Sequence, residues 1–420
     1  MKSHVDPTMR AAGRVLAALL VLAAAGACGQ AASPSGTPPT ELASPSATAT
    51  PATPTATPTE TPTPTPTPIP TPYPSGPIGK LVFGPAGAMT TSRVQPTVTA
   101  LADGRVLVAG GAVSGNLTSA EIWDPETMVF SQTGDLTTAR IGASAALLAD
   151  GRVLIAGGTT VMANFQTVLA SAELYDPATG KFSPTGSMSV GRTPATATRL
   201  QDGRVLIAGG YGAGMKCLKS AEIYDPAEGT FSPAGSMSTC RSEHSAALLN
   251  DGRVILAGGN SNKAPLASVD LFDPATGKFR LAAGRAVQGA YPSVIVLASG
   301  KVLIAGGTQR ARPELFDPVR RTSAATGTLI HARARAVAVL LPNGRVLLAG
   351  GYDSKARVLR SMETYDPSRG KFSDAGLMDT GRVGALAVTV PAGVLIVGGV
   401  ANLTGGLPLP SAEFAPFAAP

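Results

Sequence analysis

The sequence predicts an all-β protein, a seven-bladed β-propeller built from four-stranded antiparallel blades. A nine-residue segment, DGRVLIAGG in the copy that starts at Asp150, recurs seven times at intervals of 44 to 52 residues in the 420-residue chain. Each repeat also carries four strand signals in the same order, with no helical periodicity between them. Units of this size cannot bury a core alone and are stable only when stacked on neighbours, so we expect them to close into a ring.

The repeated segment has the pattern of a β-hairpin followed by a buried strand. In the second repeat its Asp-Gly dipeptide, typical of a two-residue hairpin turn, would join strands at 141–149 and 152–158. The VLIA part is apolar on both faces, as expected where sheets pack face to face. Strands at 171–177 and 181–186 would complete the blade.

The chain divides into three predicted parts. Residues 1–27 have a basic start and an apolar run, and their small residues before Cys28 resemble the lipobox of bacterial lipoproteins, in which that Cys is lipidated. An ordinary export signal with an incidental Cys is the alternative. Residues 28–76, rich in Pro and Thr, predict a disordered stalk or passive linker, on the order of 100 Å long. Residues 77–420 would form the propeller, exported and anchored to a membrane through Cys28.

Both ends of the repeat region lack part of a blade. FGPAGAM at 83–89 parallels FSPTGSM at 182–188, which predicts a fourth strand at 80–84 without its own first three. The C-terminal unit supplies three strands and then stops. Pairing the two fragments would complete the seventh blade and remove the open edges.

The loops after the second and fourth strands of each blade would share one face, opposite the Asp-Gly turns. We call it the variable-loop face, because the copies differ most there, and variation on a rigid scaffold indicates binding. Polar or aromatic side chains in these loops are the predicted ligand contacts. They are Asn164, Phe165, Tyr211, Lys216, Asn260, Asn262, Arg310, Tyr352 and Lys355.

Six arginines recur eleven residues before the turn glycine, and we call them the ring arginines. They are Arg93, Arg140, Arg192, Arg241, Arg333 and Arg382, and the fifth blade has Gly289 instead. A carboxylate stands at the start of each third strand. These residues are Glu121, Glu173, Glu222, Asp270, Glu314, Glu363 and Glu413. Charged residues that repeat with the fold indicate structural ion pairs. The alternative is that their exposed charged groups contact a ligand.

Two cysteines, Cys217 and Cys240, map to the variable-loop face of adjacent blades. In an exported protein they could form a disulfide or remain free, depending on their separation.

We interpret Glu243 and His244 as polar residues of the rim rather than an acid and base pair, and expect no catalytic residue. The net charge of +7 is spread without a Lys/Arg run or aromatic platform, so we expect no nucleic-acid partner.

A Gly-Gly pair followed by an acidic residue and an aromatic-Asp-Pro, as at Glu173 and Tyr175, resembles the kelch repeat over residues 80–415. The chain differs from the kelch pattern in the fourth strand, where Phe replaces Trp. This Phe stands at 130, 182, 231, 279 and 372. The resemblance implies a propeller, and some kelch-like propellers are secreted copper oxidases whose metal takes two histidines and two tyrosines, one of them cross-linked to a Cys.

These observations favour a monomeric, non-enzymatic binding module for surface proteins or glycans, without metal or cofactor. A copper oxidase or another carbohydrate-active enzyme is the alternative. The region after the stalk has only His244 and His331 to offer copper, and no ligand motif could be matched residue by residue.

Overall fold

The computed structural model describes residues 81–417, apart from 163–164, 263, 283–290 and 308–311. The predicted signal segment, Cys28 and stalk therefore lie outside the described residues. The described part is built from β-strands and a single 3₁₀ turn at Ala213–Met215. It contains no helix long and apolar enough to cross a bilayer.

Twenty-eight of the strands form seven four-stranded antiparallel sheets, as the repeat pattern predicts. The first strands of blades one to seven are Thr97–Ala100, Ser144–Leu147, Thr196–Arg199, Ser245–Leu248, Pro292–Val296, Val337–Leu340 and Leu386–Val390. The second strands are Val106–Ala109, Val153–Ala156, Val205–Ala208, Val254–Ala257, Val302–Gly306, Val346–Ala349 and Gly393–Val397. The third strands are Ala120–Asp124, Ala172–Asp176, Ser220–Asp225, Val269–Asp273, Glu314–Asp317, Ser361–Asp366 and Ser411–Pro416. The fourth strands are Val129–Gln132, Lys181–Thr185, Thr230–Ser236, Lys278–Leu281, Thr322–Ala325, Lys371–Leu377 and, for blade seven, Gly84–Ala88.

The first strands of neighbouring blades contact one another around a closed ring, so they surround a central channel. Every residue of the second strands is buried, which confirms the interpretation of the VLIA segments. The apolar clusters join neighbouring blades. In one of them Leu107 and Ile122 of the first blade pack with Val153 and Tyr175 of the second. The core therefore lies between blades, where stacking removes apolar surface from water.

The fourth-strand Phe supports the same interfaces. Phe182 packs against Tyr175 of the adjacent third strand, with ring centroids 4.8 Å apart. The hydroxyl of Tyr175 shares a hydrogen bond of 2.8 Å with Thr133 of the preceding blade. Tyr224 and Tyr365 repeat the arrangement. Each tyrosine is thus an apolar core residue whose polar end links two blades.

Gly84–Ala88 pairs antiparallel with Ser411–Pro416 and supplies the fourth strand of the seventh blade. The predicted bounds of 80–84 were wrong, because the observed strand shares only Gly84 with them. Trp123 of the first blade donates its indole N–H to the carbonyl of Ala86 at 3.0 Å. That bond ties the closing strand to the next blade.

The predicted two-residue hairpin turn was also wrong. The amide of Leu148 donates to the carbonyl of Arg152, so Ala149, Asp150 and Gly151 form a three-residue loop. Gly151 has a φ of 86°, the left-handed conformation that closes such a loop with a bulge. The other complete copies show the same bond between the residues that flank the loop.

An additional hairpin projects from the second blade. Thr159–Met162 pairs with Phe165–Val168 as a separate two-stranded sheet, within a segment that was predicted only as a variable loop. The side chain of Asn116, from the first blade, exchanges two hydrogen bonds with the backbone of Val161. The hairpin is therefore held to its neighbour on the variable-loop face.

Candidate functional site

The ring arginines form buried ion pairs. The Nη2 of Arg140 lies 2.8 Å from an oxygen of Glu173, and its Nη1 donates to the carbonyl of Ser171. The same carboxylate accepts the backbone N–H groups of Thr137 and Thr138. The segment that enters each blade is thus fixed to that blade's third strand. Equivalent pairs join Arg93 to Glu121, Arg192 to Glu222, Arg241 to Asp270, Arg333 to Glu363 and Arg382 to Glu413.

These pairs are structural, and their guanidinium and carboxylate groups are not exposed. Both partners of all six pairs have side chains at most 4% exposed. A ligand on the surface therefore cannot reach them, so the alternative role in binding is excluded for the six pairs.

The fifth blade departs from the pattern. Glu314 has no ion pair with another described residue, and its buried Oε2 has no hydrogen-bond partner. Burial raises the pKa of this carboxyl above its usual range. The corresponding position, Gly289, lies outside the described residues.

Two residues after each ring arginine, or after Gly289 in the fifth blade, the sequence has what we call the mouth position, where the described chain turns over the opening of the channel. From blade one to blade seven it is occupied by Gln95, Gly142, Pro194, Glu243, Tyr291, Arg335 and Gly384. Gln95, Glu243, Tyr291 and Arg335 all have a φ between 49° and 55°. Non-glycine residues rarely adopt this left-handed conformation, and strained backbone of this kind gathers at functional sites.

Three consecutive mouth positions carry interacting polar side chains. Tyr291 donates its hydroxyl to Glu243 at 2.7 Å, and Asn260 donates its amide to the other oxygen of Glu243 at 2.6 Å. The guanidinium carbon of Arg335 lies 4.0 Å from the ring centre of Tyr291, a cation–π contact. Burial, with Glu243 nearby, raises the pKa of both Tyr291 and Tyr211. We call Tyr211, Glu243, Asn260, Tyr291 and Arg335 the mouth cluster.

The mouth opens into a cavity of about 550 Å³, lined by the first strands of blades three to seven and by the residues just before the first strands of blades one and two. Its walls are mainly Ala, Val and Pro with a few hydroxyl groups, and Arg335 is the one charged side chain among the described residues that line it. His244 lies in the wall, and its Nε2 shares a hydrogen bond of 3.0 Å with Thr196. Burial lowers the pKa of His244 to about 3, so its imidazole is neutral at pH 7.

The predicted contact residues are only partly brought together. Tyr211 and Asn260 belong to the mouth cluster, and Lys216 and Lys355 are exposed in their loops. Asn262 instead accepts the backbone N–H of Cys217, and Tyr352 packs in an apolar cluster between loops. Asn164, Arg310 and the side chain of Phe165 lie outside the described residues.

Cys217 and Cys240 form a disulfide with a Cα separation of 5.5 Å. The bond joins the loop after the second strand of blade three to the segment that enters blade four. It therefore stabilises the side of the mouth that carries Tyr211 and Glu243.

The residues at the mouth do not fit the copper site that the resemblance implies. The mouth offers two tyrosines and, in the wall, His244, but His331 stands elsewhere, with its side chain 51% exposed beside Glu363. Cys217 is committed to the disulfide and cannot be cross-linked to a tyrosine. The described residues contain no group of three His, Cys, Asp or Glu placed to hold a metal. Burial also stabilises the neutral hydroxyl of Tyr291, whereas a metal ligand needs the phenolate.

The sequence analysis missed Tyr291 and Arg335, and it treated Glu243 only as a rim residue. A signal for them exists in the sequence. The mouth position has a fixed offset from the ring arginine, yet its residue type changes from blade to blade. When the residue type varies at a fixed position of a repeat, the fold does not require a particular side chain there.

Comparisons with known proteins agree with the geometry of the blades. The sequence model of the kelch motif family matches residues 195–238, which contain the third blade. A solved structure of a fungal alcohol oxidase of the AA5 family, in complex with copper, superimposes with a TM-score of 0.64 and 17% identity. The match covers 80% of this chain and 76% of that one, and at this identity it concerns the fold alone. No curated protein sequence matches the chain.

Proposed function

We propose that this chain, a kelch-repeat β-propeller, is a non-enzymatic binding module whose ligand is a protein or glycan held on the variable-loop face. The mouth cluster is the observation that carries the proposal. Three of its residues, Glu243, Tyr291 and Arg335, are held in left-handed conformations at the opening of a cavity of about 550 Å³. Cavities of this size, with a few polar groups in apolar walls, commonly hold compact ligands.

A binding role is favoured over catalysis because the polar groups are already engaged with one another. Both oxygens of Glu243 accept hydrogen bonds, the Nε2 of the neutral His244 is bonded to Thr196, and the Nδ1 of His244 is buried, out of reach of a ligand. A general base needs a free acceptor within reach of a proton on the substrate. These two side chains instead give the mouth a fixed shape, which suits recognition.

We further propose that the protein is exported and anchored through a lipid on Cys28. The support is the export-signal pattern before Cys28 and the Pro/Thr-rich composition after it, which suits a spacer between membrane and propeller. A disulfide between Cys217 and Cys240 agrees with an oxidising compartment.

Capture of ligands from a glycan array and from labelled surface proteins tests the binding role. The Tyr211→Ala variant should lose at least about tenfold in affinity for any ligand captured, because its side chain lies at the mouth. Arg152→Gln, on the opposite face, is the matched control and should bind as the unmodified protein does. Equal loss in both variants, or no captured ligand, would contradict the proposal.

An alcohol oxidase that uses copper is the second candidate, because the AA5 structure shares the fold. Metal analysis of the purified protein decides between the two. Stoichiometric copper, lost together with oxidase activity in His244→Ala or His331→Ala, would replace the binding proposal with the enzyme.

A further inference from the structure

We propose that the channel mouth binds an acidic sugar, of the uronic-acid type, whose carboxylate is held by Arg335. The inference rests on the binding function proposed above and names the ligand class for that site.

Arg335 is the charged side chain that lines the cavity. No Asp or Glu lines the cavity among the described residues, and Arg335 makes no ion pair or hydrogen bond with any of them. The nearby Glu243 keeps its negative charge, but both of its oxygens are turned to Tyr291 and Asn260, which donate hydrogen bonds to them. The wall histidine, His244, is neutral at pH 7 because burial lowers its pKa. The guanidinium of Arg335 is therefore available to form an ion pair with an anionic ligand in the cavity.

Tyr291 orients that charge. Its ring lies under the guanidinium of Arg335 at 4.0 Å, and its own hydroxyl is fixed by Glu243. A guanidinium has five N–H donors in its plane, and stacking on a ring occupies its face but not its edge. The free edge matches the two oxygens of a carboxylate, which can accept two parallel hydrogen bonds.

The shape of the cavity favours a compact ligand over an extended peptide. Residues of all seven blades line it around the channel axis, and its volume of about 550 Å³ is that of a small-molecule site rather than a long groove. A peptide that adds to a propeller surface would need a groove or a free sheet edge.

The walls and rim also provide partners for hydroxyl groups. Ser245 and Ser293 donate their hydroxyl protons to backbone carbonyls, which leaves their lone pairs available to accept from a ligand. Gln95 is exposed at the mouth, and its amide makes no hydrogen bond with another described residue. Exposed Lys216 and Lys355 add positive charge to the variable-loop face, which favours the approach of an anionic glycan.

Calorimetric titration of the full chain with trigalacturonate and with its methyl ester tests this inference. The ester keeps the sugar and removes the charge. The acid should bind at least about tenfold more tightly than the ester, and Arg335→Gln should weaken binding of the acid by a similar factor. Arg335→Lys should fall between the two, because Lys keeps the charge but lacks the planar fork. Arg152→Gln, on the face opposite the mouth, is the matched control and should retain most of the affinity, and melting curves show whether each variant is folded.

Equal affinity for acid and ester, or an unchanged affinity in folded Arg335→Gln, would overturn the inference. Binding of triglutamate in preference to trigalacturonate would replace the sugar with an acidic peptide. Equally tight binding of succinate would replace it with a simple carboxylic acid. If none of these probes binds while Tyr211→Ala still abolishes capture of another ligand, the binding function stands and the acidic-sugar inference fails.

Discussion

Burial keeps the imidazole of His244 neutral, and the ion-paired Arg241 nearby adds to the effect. The residue is 7% exposed, and its buried Nδ1 has no hydrogen-bond partner among the residues that the structure describes. The pKa of His244 is about 3 in the folded protein, against about 6.5 for an exposed histidine. Between these values the unfolded chain binds one more proton than the folded chain, so the stabilising contribution is complete above pH 6.5 and is lost as pH falls.

We therefore predict that the free energy of unfolding falls by about 2 kcal/mol between pH 7 and pH 5 because of this one residue. Urea unfolding at the two pH values measures the change. His244→Gln should show a correspondingly smaller fall, whereas His331→Gln, whose side chain is half exposed, should behave as the unmodified protein does. An identical pH dependence in His244→Gln and the unmodified protein would contradict the prediction.

The strands repeat from blade to blade and the loops differ. The strands therefore form the scaffold, and the loops carry the features that are specific to each blade. The second strands are uniformly buried and carry nearly the same four residues in every blade. Among the described residues, the loop beyond the second strand forms a hairpin in blade two and a 3₁₀ turn in blade three. Within the part of the chain that the structure describes, only the loop of blade three is held by a disulfide.

Loss of that bond should destabilise the protein. Cys217 and Cys240 are 23 residues apart, a loop length for which a cross-link contributes about 3 kcal/mol by constraining the unfolded chain. The double variant Cys217→Ser, Cys240→Ser should therefore unfold at lower urea concentration, and reduction of the unmodified protein should have the same effect. Peptide mapping without reductant checks the bond directly, and recovery of both thiols free in the exported protein would contradict the prediction.

The sequence predicts the blades well because each strand is specified seven times. The four strands of blade two lie within their predicted bounds, and the ring arginines meet the carboxylates with which they were matched. The Asp-Gly turn was misjudged because the same dipeptide also ends a three-residue loop, in which the preceding Ala149 takes part. The choice between these turns depends on the register of the flanking strands.

The mouth cluster could not be assembled from sequence in the same way. Glu243, Tyr291 and Arg335 are more than 40 residues apart and meet only because the ring brings successive blades together. Their left-handed backbone is imposed by the turn into each first strand, since residue types such as Tyr and Arg do not favour it. The offset from the ring arginine marks the position but not the contacts made there.

At the scale of the whole molecule, the propeller is one closed body, and the proposed lipid on Cys28 would attach it to a membrane. We predict that Cys28→Ala moves the protein from the membrane fraction to the soluble extracytoplasmic fraction. A single residue can have this effect because the acyl chains supply most of the membrane affinity. Cys217→Ser is the control and should remain in the membrane fraction. Unchanged fractionation of Cys28→Ala would contradict lipidation.

The closing strand determines where mechanical tension would enter the propeller. Gly84–Ala88 is both the first strand of the described chain and the outermost strand of the seventh blade. Hydrogen bonds in an antiparallel pair run perpendicular to the strands, so a pull along this strand is shared by its whole row of bonds to Ser411–Pro416. The indole of Trp123 passes part of the load to the first blade. A pull from the proposed lipid anchor would therefore load the seam of the ring in shear rather than peel it open bond by bond.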